Sequence, residues 1–147
     1  MATLEETEKI ELDFTKLKFA AQTGDLIPVA IQDHDTHAVL LVAYVNQLAL
    51  KKTMDTRRVT LWSTSRNELW VKGETSGNWL ELVEARVNCE QNSLLFIVRL
   101  HGQGACHTKS GNTYRKSCYY RTIEAGKLVM IDENKPSNRE TSTEKRT

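Results

Sequence analysis

Residues 38–45, AVLLVAYV, are apolar at every position and rich in β-branched valine. The run is far too short to cross a bilayer. A strand alternates its side chains between two faces, so a stretch apolar on both faces needs cover on both. It is therefore expected to be a fully buried strand, with packing partners above and below it. A chain of 147 residues can supply them within one domain.

Those partners are legible on either side. Gly24-Asp25 reads as a turn, and LIPVAIQD, residues 26–33, as a first strand with Pro28 near its start, where no ladder donor is needed. After the apolar run, Asn46 is placed to cap a short helix, QLALKKTMDT. RVTLWSTS and ELWVKGE read as a hairpin around Arg66-Asn67, its second strand stopping near Gly73. NWLELVEARV and SLLFIVRLH follow as strands, GQGACHTKSGNTYRKS as a glycine-rich loop, and CYYRTIE as a last short strand. The expected fold is α+β, a mostly antiparallel β single domain with one or two short helices. Residues 1–23, which contain LDFTKLKFAA, are expected to pack on the domain as an N-terminal segment, with the domain itself over 24–131. Residues 132–147 contain no apolar side chain and are expected to form a disordered tail.

A net charge of +1 gives no general reason to expect nucleic acid or an anionic membrane as partner. Met1 is followed by ATLEETEKIELDF, which lacks the basic start and apolar core of a secretory signal. A cytoplasmic location follows as the default. Three cysteines, Cys89, Cys106 and Cys118, cannot all pair within one chain, and in a reducing compartment thiols are structural, catalytic or metal-bound.

Cys89, Cys106, Cys118 and His107 include the donors of a tetrahedral zinc site, either three thiolates with an open position or a closed Cys₃His set. Residues 90–105 and 107–117 separate the thiols, and neither gap is a Cys-x-x-Cys knuckle. Spacing alone thus favours ordinary buried cysteines over zinc. DHDTH, residues 33–37, reads as a solvated turn rather than a His/Asp metal cluster. His101 closes an apolar strand without an evident role. Residues 61–79, LWSTSRNELWVKGETSGNW, are harder to explain as plain structure. Hydroxyls, glycines, Arg66 and Lys72 are interleaved there with Trp62, Trp70 and Trp79, which suits a phosphate-bearing ligand with a stacking base as well as a hairpin over packed tryptophans. Lys109, Arg115, Lys116 and Arg121, mixed with Tyr114, Tyr119 and Tyr120, form a basic-aromatic patch that reads as a solvated loop or a second phosphate clamp, not a nucleic-acid surface.

Taken together, LIPVAIQD, LLVAYVNQLALKKT, WSTSRNELWVKGETSGNW, RVNCEQNSLL and GACHTKSGNTYRKSCYYR resemble phosphoribosyl-AMP cyclohydrolase, a histidine-biosynthesis family that opens an adenine ring. The resemblance runs from about Leu12 to Arg121. It implies an intertwined homodimer that shares zinc ligands, Cys89 from one chain with Cys106 and Cys118 from the other, and His107 beside the metal as proton carrier. Zinc-bound hydroxide would attack C6 of an N1-substituted adenine nucleotide. Ser65, Arg66, Lys72, Thr75 and Ser76 would contact phosphate and ribose of this phosphorylated, nucleotide-like substrate.

Two departures stand out. Where the family is acidic and binds magnesium, this chain has Asn88, Glu90 and Asn92, so only one carboxylate remains and magnesium affinity is expected to be weak or absent. The loop from Cys106 to Cys118 is longer than the family's usual spacing, with residues 109–114, KSGNTY, as the apparent insertion. Two alternatives stay open beside the cyclohydrolase: a zinc hydrolase of the same fold acting at a C–N bond of another purine-like or amidine heterocycle, and a catalytically silent zinc-binding relative.

Overall fold

The computed structural model describes residues 3–131, so the tail expected over 132–147 lies outside the described residues. Residues 11–119 form one compact unit and residues 3–10 with 120–131 another.

In the larger unit the first element is helix α1 (Lys16–Thr23). Phe14 and Leu17, of the opening segment, are exposed. Strand β1 (Ile27–Asp33) alternates as a half-buried strand should, with Val29, Ile31 and Asp33 turned inward. Strand β2 (Val39–Val45) pairs antiparallel with it. Helix α2 (Gln47–Thr56) begins where Asn46 accepts a hydrogen bond from the Ala49 amide and ends at Arg57 in the left-handed region, φ 61°. Strands β3 (Thr60–Ser63) and β4 (Glu68–Val71) form the expected hairpin, with Asn67 at φ 54° in its turn. Strands β5 (Trp79–Val87) and β6 (Leu94–His101) form a second, longer one.

The main sheet has the order β2-β1-β6-β5. Its central pair, β1 with β6, is parallel, Val29 facing Leu94 and Asp33 facing Val98, whereas the outer pairs are antiparallel. The core is Val29, Ile31, Leu40, Val45, Leu80, Phe96 and Val98, closed by Ala49 of α2 and by Val59 and Leu61. Each such side chain, once removed from water, stabilises the fold by about 1.5–3 kcal/mol.

One expectation needs correction. β2 is not covered on both faces within the chain: it is an edge strand, and Val39 and Val42 are each about half exposed, 48% and 51%. The expected glycine-rich loop is also more ordered, because residues 109–114 fold into a tight hairpin, β7 (Lys109–Ser110) with β8 (Thr113–Tyr114), closed by Gly111 at φ 63°.

The smaller unit is a hairpin of β9 (Arg121–Glu124) and β10 (Lys127–Met130), the latter not foreseen from sequence. Ala125 and Gly126 both take positive φ, as a two-residue hairpin turn demands. Leu128 donates its amide to Glu8, Tyr120 its hydroxyl to Glu5, and Arg121 its guanidinium to the carbonyls of Leu4 and Thr7, which lays the N-terminal residues along the hairpin.

Candidate functional site

The parallel β1–β6 pair gives the sheet a defined end, and several candidate residues collect beyond it. Cys106 follows the C-terminal end of β6 and is 3% exposed. Its amide donates to Arg115 and that of Ala105 to Lys116, so the backbone around Cys106 runs against residues 115–116. Gly104 makes this approach possible, since a Cβ there would lie 2.3 Å from the Arg115 carbonyl oxygen. Cys118 arrives from the other direction and is hung on the edge of β2: its amide donates to Leu40 at 2.8 Å, and the Ser117 hydroxyl donates to Val39 at 2.7 Å. Lys116 Nζ lies 3.4 Å from Asp33 Oδ2 at the end of β1, and Asp33 also accepts from the amide and hydroxyl of Thr36.

These anchors bring two thiols together. Cys118 lies beside Cys106, and burial of its sulfur, reinforced by Cys106, pushes its thiol up to about 12. Thr108 supports Cys106 from its own loop, hydroxyl to sulfur at 3.0 Å. Lys72, at the end of the β3–β4 hairpin, is 5% exposed. Burial lowers the pKa of its ammonium while both thiols pull it back up, so the lysine faces the pair, and Nζ also lies 5.3 Å from the Trp70 ring centroid. Lys72 is thus buried within electrostatic reach of the two thiols, whereas Ser65, Arg66, Thr75 and Ser76 are exposed. Arg66 pairs with Glu68 at 3.4 Å and its amide donates to Ser63. His107, beside Cys106 in sequence, is exposed.

Cys89 does not join them. It lies in the exposed turn between β5 and β6, while Cys106 lies beyond the other end of β6, a strand of 8 residues. At roughly 3.3 Å per residue, the strand holds them about 25 Å apart. No group of three metal-ligating side chains forms among the described residues of a single chain. Two soft thiol donors near a buried cation fit part of a zinc centre, and Cys89 does not complete it within the chain.

The turn that carries Cys89 is closed by its own amides. Asn88 donates from Nδ2 to Asn92 Oδ1 at 2.6 Å, and its Oδ1 accepts the amides of Asn92 and Ser93 at 2.9 Å each. Asn92 Nδ2 reaches Glu90 at 3.4 Å. One carboxylate with two amides already paired to each other is not a donor set for a small, hard cation, so these residues do not fit magnesium.

Sequence reasoning missed the roles of Asp33, Lys116 and Ser117. Asp33 carried a signal, as an inward position on an alternating strand. Lys116 and Ser117 had none, because their partners are distant in sequence.

The sheet and its neighbouring thiols define the class: a small α+β domain with two cysteines brought together beyond one sheet end. The family model described as phosphoribosyl-AMP cyclohydrolase matches residues 41–120. Relatives bearing that name include one from Hyphomonas neptunium, 52% identical over 103 residues, covering 70% of this chain and 74% of the relative. Another, from Desulfatibacillum aliphaticivorans, is 41% identical over 124 residues, 84% and 90% of the two chains. A third, from Paracoccus denitrificans, is 44% identical over 119 residues, 81% and 92%. The chain belongs to the phosphoribosyl-AMP cyclohydrolase family.

Proposed function

We propose that this chain opens the adenine ring of phosphoribosyl-AMP as a zinc-dependent homodimer, each centre taking Cys106 and Cys118 from one copy and Cys89 from the other. The observation that carries this reading is the pairing of Cys106 with Cys118 beside Lys72, with Cys89 held at the opposite end of β6. The exposed apolar residues of edge strand β2, Val39 and Val42, are a surface that a second copy would cover.

When bound, zinc supplies activation of water at near-neutral pH. The chain's own residues do the rest. Lys72 offsets the negative charge of two thiolates in a buried setting. Arg66, Ser65, Thr75 and Ser76 hold phosphate and ribose. Water oxygen bonds to C6, the C6–N1 bond breaks, and the proton released from water reaches N1 through His107. The self-paired turn of Asn88, Glu90 and Asn92 supports turnover that does not need magnesium.

The test is to measure metals on the purified protein, then follow ring opening of phosphoribosyl-AMP with zinc, with and without magnesium. Stoichiometric zinc and magnesium-independent turnover are expected. A zinc-free protein that turns over, or one with zinc and no turnover, refutes the reading, and the second result returns the choice to another heterocycle or a silent relative.

A further inference from the structure

Asn78 is the residue where the turn after the β3–β4 hairpin meets the loop that leads to Cys106. It is 4% exposed, between the exposed turn 74–77 and strand β5. Its amide donates to the Ser76 hydroxyl at 3.2 Å, within the hydroxyl-bearing turn. Its Oδ1 accepts the Gln103 amide at 2.8 Å, from the loop that leads to Cys106. Two glycines are shaped around it. A Cβ at Gly73 would lie 2.1 Å from the Asn78 carbonyl oxygen, and one at Gly102 would lie 2.3 Å from Oδ1. Both glycines also take positive φ, 80° and 109°, so neither position readily accepts a side chain.

The other end of the amide is different. Asn78 Nδ2 is buried and has no hydrogen-bond partner among the described residues. A buried amide donor left unpaired is costly, and native structures keep such groups where a partner arrives by another route. The residues next to it in both segments, Ser76 and Gly77 on one side and Gly102 and Gln103 on the other, are exposed. Only these exposed neighbours lie between Nδ2 and solvent along both segments of the chain.

We propose that Asn78 is a substrate-binding residue. Nδ2 donates to an oxygen of the phosphoribosyl group seated on the 73–78 turn, while Oδ1 holds the Cys106 loop through Gln103. The ligand class rests on the function proposed above. The amide joins the two tasks, so occupancy of the turn is felt by the segment that carries Cys106.

Ribose 5-phosphate, titrated calorimetrically into the zinc-loaded full chain, tests the donor without requiring turnover. Asn78→Asp keeps the acceptor and removes the donor, whereas Asn78→Ala removes both. With Asn78→Asp, binding weakens at least tenfold, zinc content is unchanged, and in turnover KM rises while kcat stays within about threefold. The uncharged Asn78→Ala weakens binding at least as much, which separates a lost hydrogen bond from charge repulsion, because salt screens a buried charge poorly. Asn78→Ala in addition lowers kcat, because the Gln103 link is gone. Asn78→Asp binding ribose 5-phosphate as tightly as the native chain overturns the proposal, and so does a native chain that does not bind the compound, or an Asn78→Ala variant that binds it undiminished. A native chain that binds it, with the expected loss in Asn78→Asp, but opens no ring supports Asn78 while rejecting the proposed reaction.

Discussion

Lys116 Nζ lies 3.4 Å from Asp33 Oδ2, joining the segment just before Cys118 to the C-terminal end of β1. Burial of Asp33 opposes its ionisation, but the Thr36 hydroxyl and amide and the Lys116 ammonium outweigh it, and the carboxyl titrates below its ordinary range. A depressed carboxyl contributes stability that is present above the unfolded pKa, about 3.9, and is lost as pH falls through the folded one. Asp33→Asn should therefore destabilise the protein by about 1–2 kcal/mol at pH 7 in urea denaturation, since a charged hydrogen bond is removed. The gap to the native chain should narrow below about pH 4. A gap of constant size across that range would show that the charge of Asp33 is irrelevant.

In metal-free protein the thiols should differ in reactivity. Cys89 and Cys118 are both exposed residues, yet the Cys118 thiol is pushed up to about 12 by burial and by Cys106. Alkylation at pH 8, followed by peptide mass spectrometry, should label Cys89 roughly tenfold or more faster than Cys118, because only the thiolate reacts. Equal rates would mean that the Cys106–Cys118 contact does not persist in solution.

A centre divided between copies has a genetic signature. Cys89→Ser alone and Cys118→Ser alone should each bind less than a tenth of the native zinc. Unfolded together and refolded as a mixture, they should regain zinc and activity, because a mixed pair restores one complete centre. The check is metal analysis with a turnover assay on the mixture. No recovery, with both variants folded and dimeric, would place all the ligands within one chain.

The 88–92 turn predicts a cation response that can be switched on. Asn88→Asp with Asn92→Asp replaces the Asn88–Asn92 hydrogen bond by like charges, and should lower the metal-free Tm by several degrees. Millimolar magnesium should then raise the Tm of the double variant and leave the native chain unchanged. A native chain stabilised by magnesium would contradict the reading of this turn.

The elements most legible in the sequence were those fixed by local chemistry. Asn46 ahead of QLALKKTMDT caps α2, and the hairpin at Arg66-Asn67 forms with Asn67 at positive φ, as neighbouring residues alone require. The parallel pairing of β1 with β6 was not legible, because alternation specifies a strand's faces and says nothing of its distant neighbour. For the same reason AVLLVAYV was expected to be covered on both sides, although β2 is an edge. Lys72 shows the limit at the candidate site. Its place beside phosphate-binding residue types suggested an anion, but the fold buries it within electrostatic reach of two thiols that lie far along the chain.

The hydrogen bond from Cys118 to Leu40 has a consequence beyond the positioning of a thiol. Leu40 belongs to the edge strand of the main sheet, where unpaired backbone groups and the exposed Val39 and Val42 invite pairing with a foreign strand. The segment that presents Cys118 is therefore also the guard of that edge. Loosening it should show first as a protein that sticks to itself on storage or heating, before any loss of secondary structure.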